Sequence, residues 1–316
     1  MNKKYIIPAI VLLSLTIGFC SAKIYEIIAP KPVNIFEKTK TESPGLKWIK
    51  NSDSIIQVHP FRVEGELFFA GERVPLEDAE VRERLDRELQ INVFRQSNTV
   101  LNMKLANRYF NEIEKVLQEE GVPSDFKYLP LIESDFRDVV SPSGAAGFWQ
   151  FISSTGKRYG LEINDQVDER YNIEKATRAA CVYLKDAKTK LGSWTLAAAA
   201  YNYGTDGVQS RLETQHGNSY YDLAITSETA RYVFRMLAMK VIFTDPRKAG
   251  YNISEEDLYQ PHQYSIVSVD SSVLDLVAFA EANGVKYKHL KMLNSWMRAA
   301  SLPNKAQKTY QIKILK

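Results

Sequence analysis

The chain has 316 residues, 45% hydrophobic and 25% charged, the composition of a soluble globular protein with one or two domains and enough apolar surface for a sizeable core. Its formal charge of +3 includes Lys3 and Lys4. Without residues 1–22, which carry both lysines and no acid, the excess falls by two and excludes a nucleic-acid partner held by charge.

In chain order, Lys3 and Lys4 precede an apolar run from Tyr5 to Phe19, interrupted by Pro8, and Cys20-Ser21-Ala22 gives a small-x-small ending before Lys23. That is the pattern of an export signal over residues 1–22. The run falls short of the roughly 20 apolar residues of a transmembrane helix, although Ile24 to Ala29 could extend it into an uncleaved anchor. Cys20 invites lipidation, yet Phe19 stands where a small residue is wanted. Cleavage is the preferred reading, with anchor and lipoprotein left open, and all three place the protein in the periplasm or cell envelope. Pro30, Pro32 and Pro44 without steady periodicity make residues 23–60 a tether.

Helices dominate from there. Glu77 to Phe94 sets Val81, Leu85 and Leu89 on one face, and Leu101 to Glu120 repeats Leu105, Tyr109, Ile113 and Val116 before Gly121 and Pro123 close it. Ala176 to Leu191 has helical spacing throughout, Ser193 reads as the N-cap of the Ala-rich helix Trp194 to Tyr203 ended by Gly204, and Glu228 to Phe243 forms another helix. After about Glu256 the period changes: Tyr264 to Val269 alternates, Val273 to Asn283 and Lys288 to Leu293 are helical, and Thr309 to Ile314 alternates again, a βααβ unit. Domains are thus expected at 61–258 and 259–316.

Cys181 lies on a helix among Ala179, Ala180 and Tyr183 and reads as a small buried hydrophobe; with Cys20 in the leader, no disulfide can form within the mature chain. His59, His216, His262 and His289 lack metal-ligand spacing, so neither metal nor cofactor is expected. The chemistry concentrates between Tyr128 and Phe151. There Leu129, Leu131 and Ile132 would keep water from Glu133, raise its pKa and leave a proton ready near neutral pH. The following run, Ser141-Pro142-Ser143-Gly144-Ala145-Ala146-Gly147-Phe148-Trp149-Gln150, supplies glycines for close backbone approach, an indole and an amide. Asp135 and Asp138 read as solvated surface acids.

Four motifs in order, Glu133-Ser134, Ser141-Pro-x-Gly144-Ala-x-Gly147-x-x-Gln150, Ala200-Tyr201-Asn202-Tyr-Gly204 and Glu228-Thr229-x-x-Tyr232-Val233, resemble those of the lytic murein transglycosylases, in particular their membrane-bound type D branch. Gly71 to Leu76, GERVPL, resembles that branch too, and the resemblance covers about residues 60–316. It departs between Glu133 and Ser141, one residue shorter than in many soluble members. The resemblance implies a mainly α, lysozyme-like catalytic domain of goose-type or SLT fold, followed by a small LysM-like module whose usual Gly-Asp-Thr-Leu is replaced by Asp270-Ser271-Ser272-Val273.

It further implies peptidoglycan glycan strands as partner and substrate, with Glu133 as acid and then base at the MurNAc-β-1,4-GlcNAc bond and Tyr201 orienting that carboxyl. Ser141, Gln150, Asn202 and Glu228 would contact sugar, and Trp149 would stack on a pyranose ring. Two rivals stay open: a hydrolytic muramidase, in which Asp168 or Glu169 would activate water opposite Glu133, and a catalytically silent wall-binding scaffold. A chain ending near Glu256 is expected to fold without the tail.

Overall fold

The computed structural model describes residues 60–316, so the expectations for the leader and most of the tether lie outside the described residues. The first elements are strands β1 (Phe68–Phe69) and β2 (Glu72–Arg73), paired antiparallel through the two-residue turn Ala70-Gly71. Both turn residues have positive φ, 52° and 82°, the backbone that a tight hairpin of this kind requires. Helix α1 (Ala79–Phe94) follows, N-capped by the Asp78 carboxylate on the Glu80 N–H, then α2 (Gln96–Glu119), a 3₁₀ turn (Ser124–Lys127) and the short α3 (Tyr128–Ser134). Next come α4 (Ser153–Arg158), α5 (Ile173–Leu191), α6 (Trp194–Tyr203), α7 (Thr205–Gln215) and α8 (Ser227–Thr244). The tail is β3 (Tyr264–Val269), α9 (Leu276–Ala282), α10 (Tyr287–Leu293) and β4 (Tyr310–Leu315).

The fold is mainly α, with ten α-helices among the described residues. No helix among them is long and apolar enough to cross a membrane. α8 is the centre. Tyr232, Val233, Phe234, Met236, Leu237, Ala238, Met239 and Ile242 are all buried, a helix apolar nearly all round, as an element wrapped by others must be. α1, α3 and α6 pack against it. Each Val, Leu, Ile, Phe or Met side chain so buried contributes about 1.5–3 kcal/mol. The Glu88 carboxylate of α1 is buried within this contact and accepts from Arg231 of α8 at 2.6 Å, which spares it the cost of an unpaired buried charge. α6 fits beside α8 and α5 because Ala197, Ala198, Ala199 and Ala200 present almost no side chain and are fully buried.

α6 begins where the sequence placed it, with Ser193 Oγ accepting from the Leu196 N–H at 3.1 Å. A second cap comes from far away. Glu72 in the hairpin accepts from the Trp194 N–H at 2.6 Å and from the Thr195 N–H at 2.8 Å, so a carboxylate sits on the positive end of α6. This is the physical use of the GERVPL stretch: it holds the helix that carries Tyr201 and Asn202.

In the tail, β3 and β4 pair antiparallel from Tyr264↔Leu315 to Val269↔Tyr310, and the βααβ order is as read from the sequence. Asn294, fully buried, donates to the Lys313 carbonyl and accepts from its N–H, acting as a one-residue extension of the sheet. The core of this unit also takes in Ala146, Val167 and Tyr171 from the preceding helical region. Val167 and Met297 form an antiparallel bridge, and Lys313 pairs with Glu112 at 2.6 Å. The tail is therefore packed into the helical part rather than strung after it, and the described residues form one compact unit.

Glu72→Ala removes two charge-assisted backbone bonds at the start of α6, each worth roughly 1.5–3 kcal/mol. We expect chemical denaturation to show a stability loss of about 1.5 kcal/mol or more, at the low end of that range. A variant as stable as the parent would mean that Ser193 caps α6 unaided.

Candidate active site

Glu133 stands on the last turn of α3. Tyr128, Leu129, Leu131 and Ile132 of that helix are buried, and Pro130 is tolerated because it lies in the first turn, where its missing N–H would have no helical partner. The helix stops abruptly, since Asp135 and Phe136 both adopt left-handed backbone, φ 51° and 53°. Two such residues cost roughly 1–2 kcal/mol each and must be held by their surroundings. Asp135 accepts from Asn102 at 2.9 Å, Asn98 at 3.1 Å and Arg137 at 3.1 Å, while the Phe136 ring packs among Tyr109, Phe110 and Phe148. Asp135 was expected to be a solvated acid; it is instead the half-buried acceptor that fixes the end of the helix. Ser134 completes the anchor, its buried hydroxyl lying 3.0 Å from the Pro130 carbonyl and 3.1 Å from that of Phe148.

The Glu133 carboxyl meets α8. Tyr232 donates its hydroxyl to Glu133 Oε1. Burial raises the Glu133 carboxyl above its ordinary 4.5; the hydroxyl of Tyr232 and the charge of Arg235 pull the other way, and Glu228 adds to the rise. Burial, with the nearby Glu133 charge, likewise pushes the hydroxyls of Tyr201 and Tyr232 well above 10, so both are protonated donors at any working pH.

Tyr201 is close enough to feel Glu133, but its hydroxyl donates to the Trp149 carbonyl at 2.8 Å and not to the carboxyl. The tyrosine that touches Glu133 is thus Tyr232, which the sequence held in the fourth motif without a role. The third and fourth motifs interlock: Asn202 Oδ1 accepts from Thr229 at 2.7 Å, and Asn202 Nδ2 donates to Glu228 at 3.3 Å. Glu228 itself is exposed at the start of α8.

The loop between α3 and α4 is held by its own polar groups. Ser141 Oγ accepts from the Ala145 N–H at 3.0 Å and lies 2.9 Å from Ser143 Oγ, closing a turn in which the Gly144 N–H donates to the Ser141 carbonyl. Gln150, at φ 48°, donates its amide to the carbonyls of Gly147 at 2.8 Å and Val139 at 3.2 Å. Gly147 is required on two counts: φ is +75°, and a Cβ would lie 2.0 Å from the Arg170 carbonyl oxygen. Trp149 corrects the expectation of a stacking face. Its indole is fully buried and donates to Thr177 Oγ1 at 2.9 Å, so no ring face is open to a sugar.

The acids weighed as water activators are also committed elsewhere. Asp168 pairs with Arg170 at 2.7 Å, and Glu169 accepts from Lys175 and from the Glu162 N–H. Asp138 lines a cavity of about 530 Å³ with Tyr109, Tyr171 and Trp296, a space whose lining includes neither Glu133 nor Tyr201. Cys181 is buried, and burial pushes its thiol up to about 12, consistent with a packing role.

Residues 108–223 match the Transglycosylase SLT domain, and residues 265–316 match the Soluble lytic transglycosylase C-terminal LysM-like domain. The chain therefore carries an SLT domain of lysozyme-like, mainly helical fold with a LysM-like domain behind it. It is homologous to the membrane-bound lytic murein transglycosylase D of two Escherichia coli strains, K12 and O6:H1, at 27% identity over 81% of this chain. That stretch covers 56% of the relatives' own length, so the chain spans little more than half of them. Among solved structures, the lytic transglycosylase Slt of Pseudomonas aeruginosa, determined as an inactive mutant, aligns with 48% of this chain and 26% of its own, at 21% identity and a TM-score of 0.37.

A carboxyl whose folded pKa is raised binds its proton more tightly when folded, so it lowers stability as pH rises from its unfolded value toward its folded one. Glu133→Gln removes that loss while keeping an acceptor for Tyr232. The variant should melt higher than the parent at neutral pH, and the gain should vanish below about pH 4.5, the ordinary value. A gain independent of pH would show that Glu133 is not held in a desolvated site.

Proposed function

We propose that the chain is a peptidoglycan lytic transglycosylase that cleaves the β-1,4 bond between MurNAc and GlcNAc and leaves 1,6-anhydroMurNAc ends. The observation that carries this reading is the Glu133 carboxyl, its pKa raised by burial and its oxygen met by the Tyr232 hydroxyl, in a chain whose SLT match spans it. Glu133 protonates the bridging oxygen, the C1–O bond breaks, and positive charge develops at C1. The carboxylate left behind takes the proton of the C6 hydroxyl as that oxygen closes on C1. One residue serves as acid and then as base, no water is consumed, and the protein returns to its starting protonation state.

Tyr232 steadies the carboxylate between the two steps, and Tyr201 fixes the Trp149 carbonyl and with it the loop that carries Gln150. Ser141, Gln150, Asn202 and Glu228 supply polar contacts to sugar. The hydrolytic alternative is disfavoured because a second carboxylate is the usual requirement for activating water, and both Asp168 and Glu169 are bound up in ion pairs. Peptidoglycan as substrate places the protein in the cell envelope, a location that the leader pattern of residues 1–22 also supports.

Digestion of purified sacculi, read by mass spectrometry of the released muropeptides, should yield anhydro-terminated fragments. Reducing MurNAc ends as the main product would establish hydrolysis instead. In the same assay Glu133→Gln should lose about 10²- to 10⁴-fold in rate, the span of acid-base catalysis; a variant retaining a tenth of the parent rate would exclude Glu133 as the acid.

Tyr232→Phe removes a hydrogen bond that favours the charged carboxylate and so raises the Glu133 pKa further. Because the acid must start protonated, the alkaline fall of kcat/KM should move to higher pH. An unmoved profile would mean that the tyrosine does not hold the reacting group.

A further inference from the structure

The loop 141–151 touches more than the site. Its Ala146 lies in the core of the C-terminal βααβ unit, fully buried with Met297, Trp296 and Leu302. Opposite it runs the segment 166–171, which that unit grips through its backbone. The Asp168 N–H donates to the Trp296 carbonyl at 2.8 Å, the Arg298 N–H donates to the Gln166 carbonyl at 2.7 Å, and Ser295 Oγ donates to the Tyr171 carbonyl at 3.3 Å.

Arg170 connects the two. Its side chain is 11% exposed and that of Asp168 is 9%. The guanidinium takes Asp168 bidentately, Nε to Oδ1 at 2.9 Å and a terminal nitrogen to Oδ2 at 2.7 Å, which fixes its plane. The remaining nitrogen donates to the carbonyls of Gly144 at 2.8 Å and Phe151 at 3.0 Å, the two ends of the loop stretch that contains Gln150. Between them the Arg170 carbonyl abuts Gly147 so closely that no Cβ fits. The loop is thus held at residues 144, 147 and 151 by one residue, and that residue is set by an acid whose backbone is bonded to the C-terminal unit.

We infer that Arg170 is a positioning residue that transmits the packing of the C-terminal unit to the loop 141–151, so that this unit shapes the substrate site directly and is not merely an appended sugar-binding module. The inference rests on the proposed function for what the loop contacts, but the mechanical link stands on the structure alone.

The test uses the full chain with Arg170→Gln, Arg170→Lys and Met297→Ala, the last altering only the C-terminal side of the bridge to Val167. Hydrogen exchange is read on peptides covering 144–151 and on peptides of α8 around Tyr232, and KM and kcat are measured on soluble glycan strands across pH. Arg170→Gln and Met297→Ala should each raise exchange in 144–151 tenfold or more with α8 unchanged. KM should rise at least fivefold while the alkaline fall of activity stays at the parent pH, because Glu133 and Tyr232 are untouched. Arg170→Lys keeps the charge beside Asp168 without the planar fork and should fall between.

Loosening confined to the C-terminal unit after Met297→Ala, or a rise in KM with parent-like exchange in 144–151, would overturn the inference. If Arg170→Gln fails to fold, Met297→Ala decides alone. Exchange needs no substrate, so the link is decided even if the protein releases no anhydro ends, and the end group released tests the proposed function separately.

Discussion

A carboxyl group pressed into a helical core is the constraint around which the rest of this structure is arranged. Glu133 is desolvated by its own short helix and met by the Tyr232 hydroxyl from α8, the helix on which α1, α3 and α6 pack. Desolvation favours the protonated form of this carboxyl, and the hydroxyl favours the charged one. Neither alone would suit the proposed role, in which one group gives and then receives a proton. α8 can aim that hydroxyl because it is pinned on several sides, by α1 through the Glu88 and Arg231 pair and by α6 through a surface of alanines. α6 in turn is fixed at its start by Glu72 from a hairpin more than a hundred residues earlier.

The second feature is the loop between α3 and α4, which the proposed function assigns to substrate. Here backbone geometry does most of the work. Asp135 and Phe136 in left-handed conformation end α3 two residues after Glu133, so the chain turns sharply there. The cost of that turn is offset by Asn98, Asn102 and an aromatic cluster, which explains why the first turns of α2 carry polar residues on a face that would otherwise be apolar. The loop then returns through Ser134 to the Phe148 carbonyl and through Tyr201 to the Trp149 carbonyl. Bonds to loop carbonyls, more than to side chains, hold the site in shape.

This arrangement changes the reading of the tail. A change of period near Glu256 is a real change of architecture, and the βααβ order is present, but a change of period says nothing of whether a boundary is covered or open. Ala146, Val167 and Tyr171 are shared with the tail's core, and a backbone bridge joins Val167 to Met297. The Asp270-Ser271-Ser272-Val273 segment that replaces the usual Gly-Asp-Thr-Leu is used internally, with Ser272 accepting from the Asn304 N–H at 2.8 Å and Val273 bridged to Leu302.

Much of this was legible in the residues. The periods of the long helices, the Ser193 cap, the alternation of β3 and β4 and the apolar wall before Glu133 are local signals, because each depends on neighbours within a few positions. Helix α7 and the hairpin at Ala70-Gly71 went unread for the opposite reason: α7 buries only Val208, so it has almost no apolar face to show, and a four-residue hairpin has no periodicity. Trp149 was misjudged because an indole in a glycine-rich run has the same sequence whether its ring faces a sugar or Thr177. The amino-acid sequence by itself determined which elements form and that Glu133 sits in an apolar setting, since spacing and hydrophobicity are properties of the chain. Only the tertiary structure decided that Tyr232 and not Tyr201 meets that carboxyl, and that Arg170 binds the loop to the tail, because such hydrogen bonds depend on the angle and distance at which separate helices and loops pack.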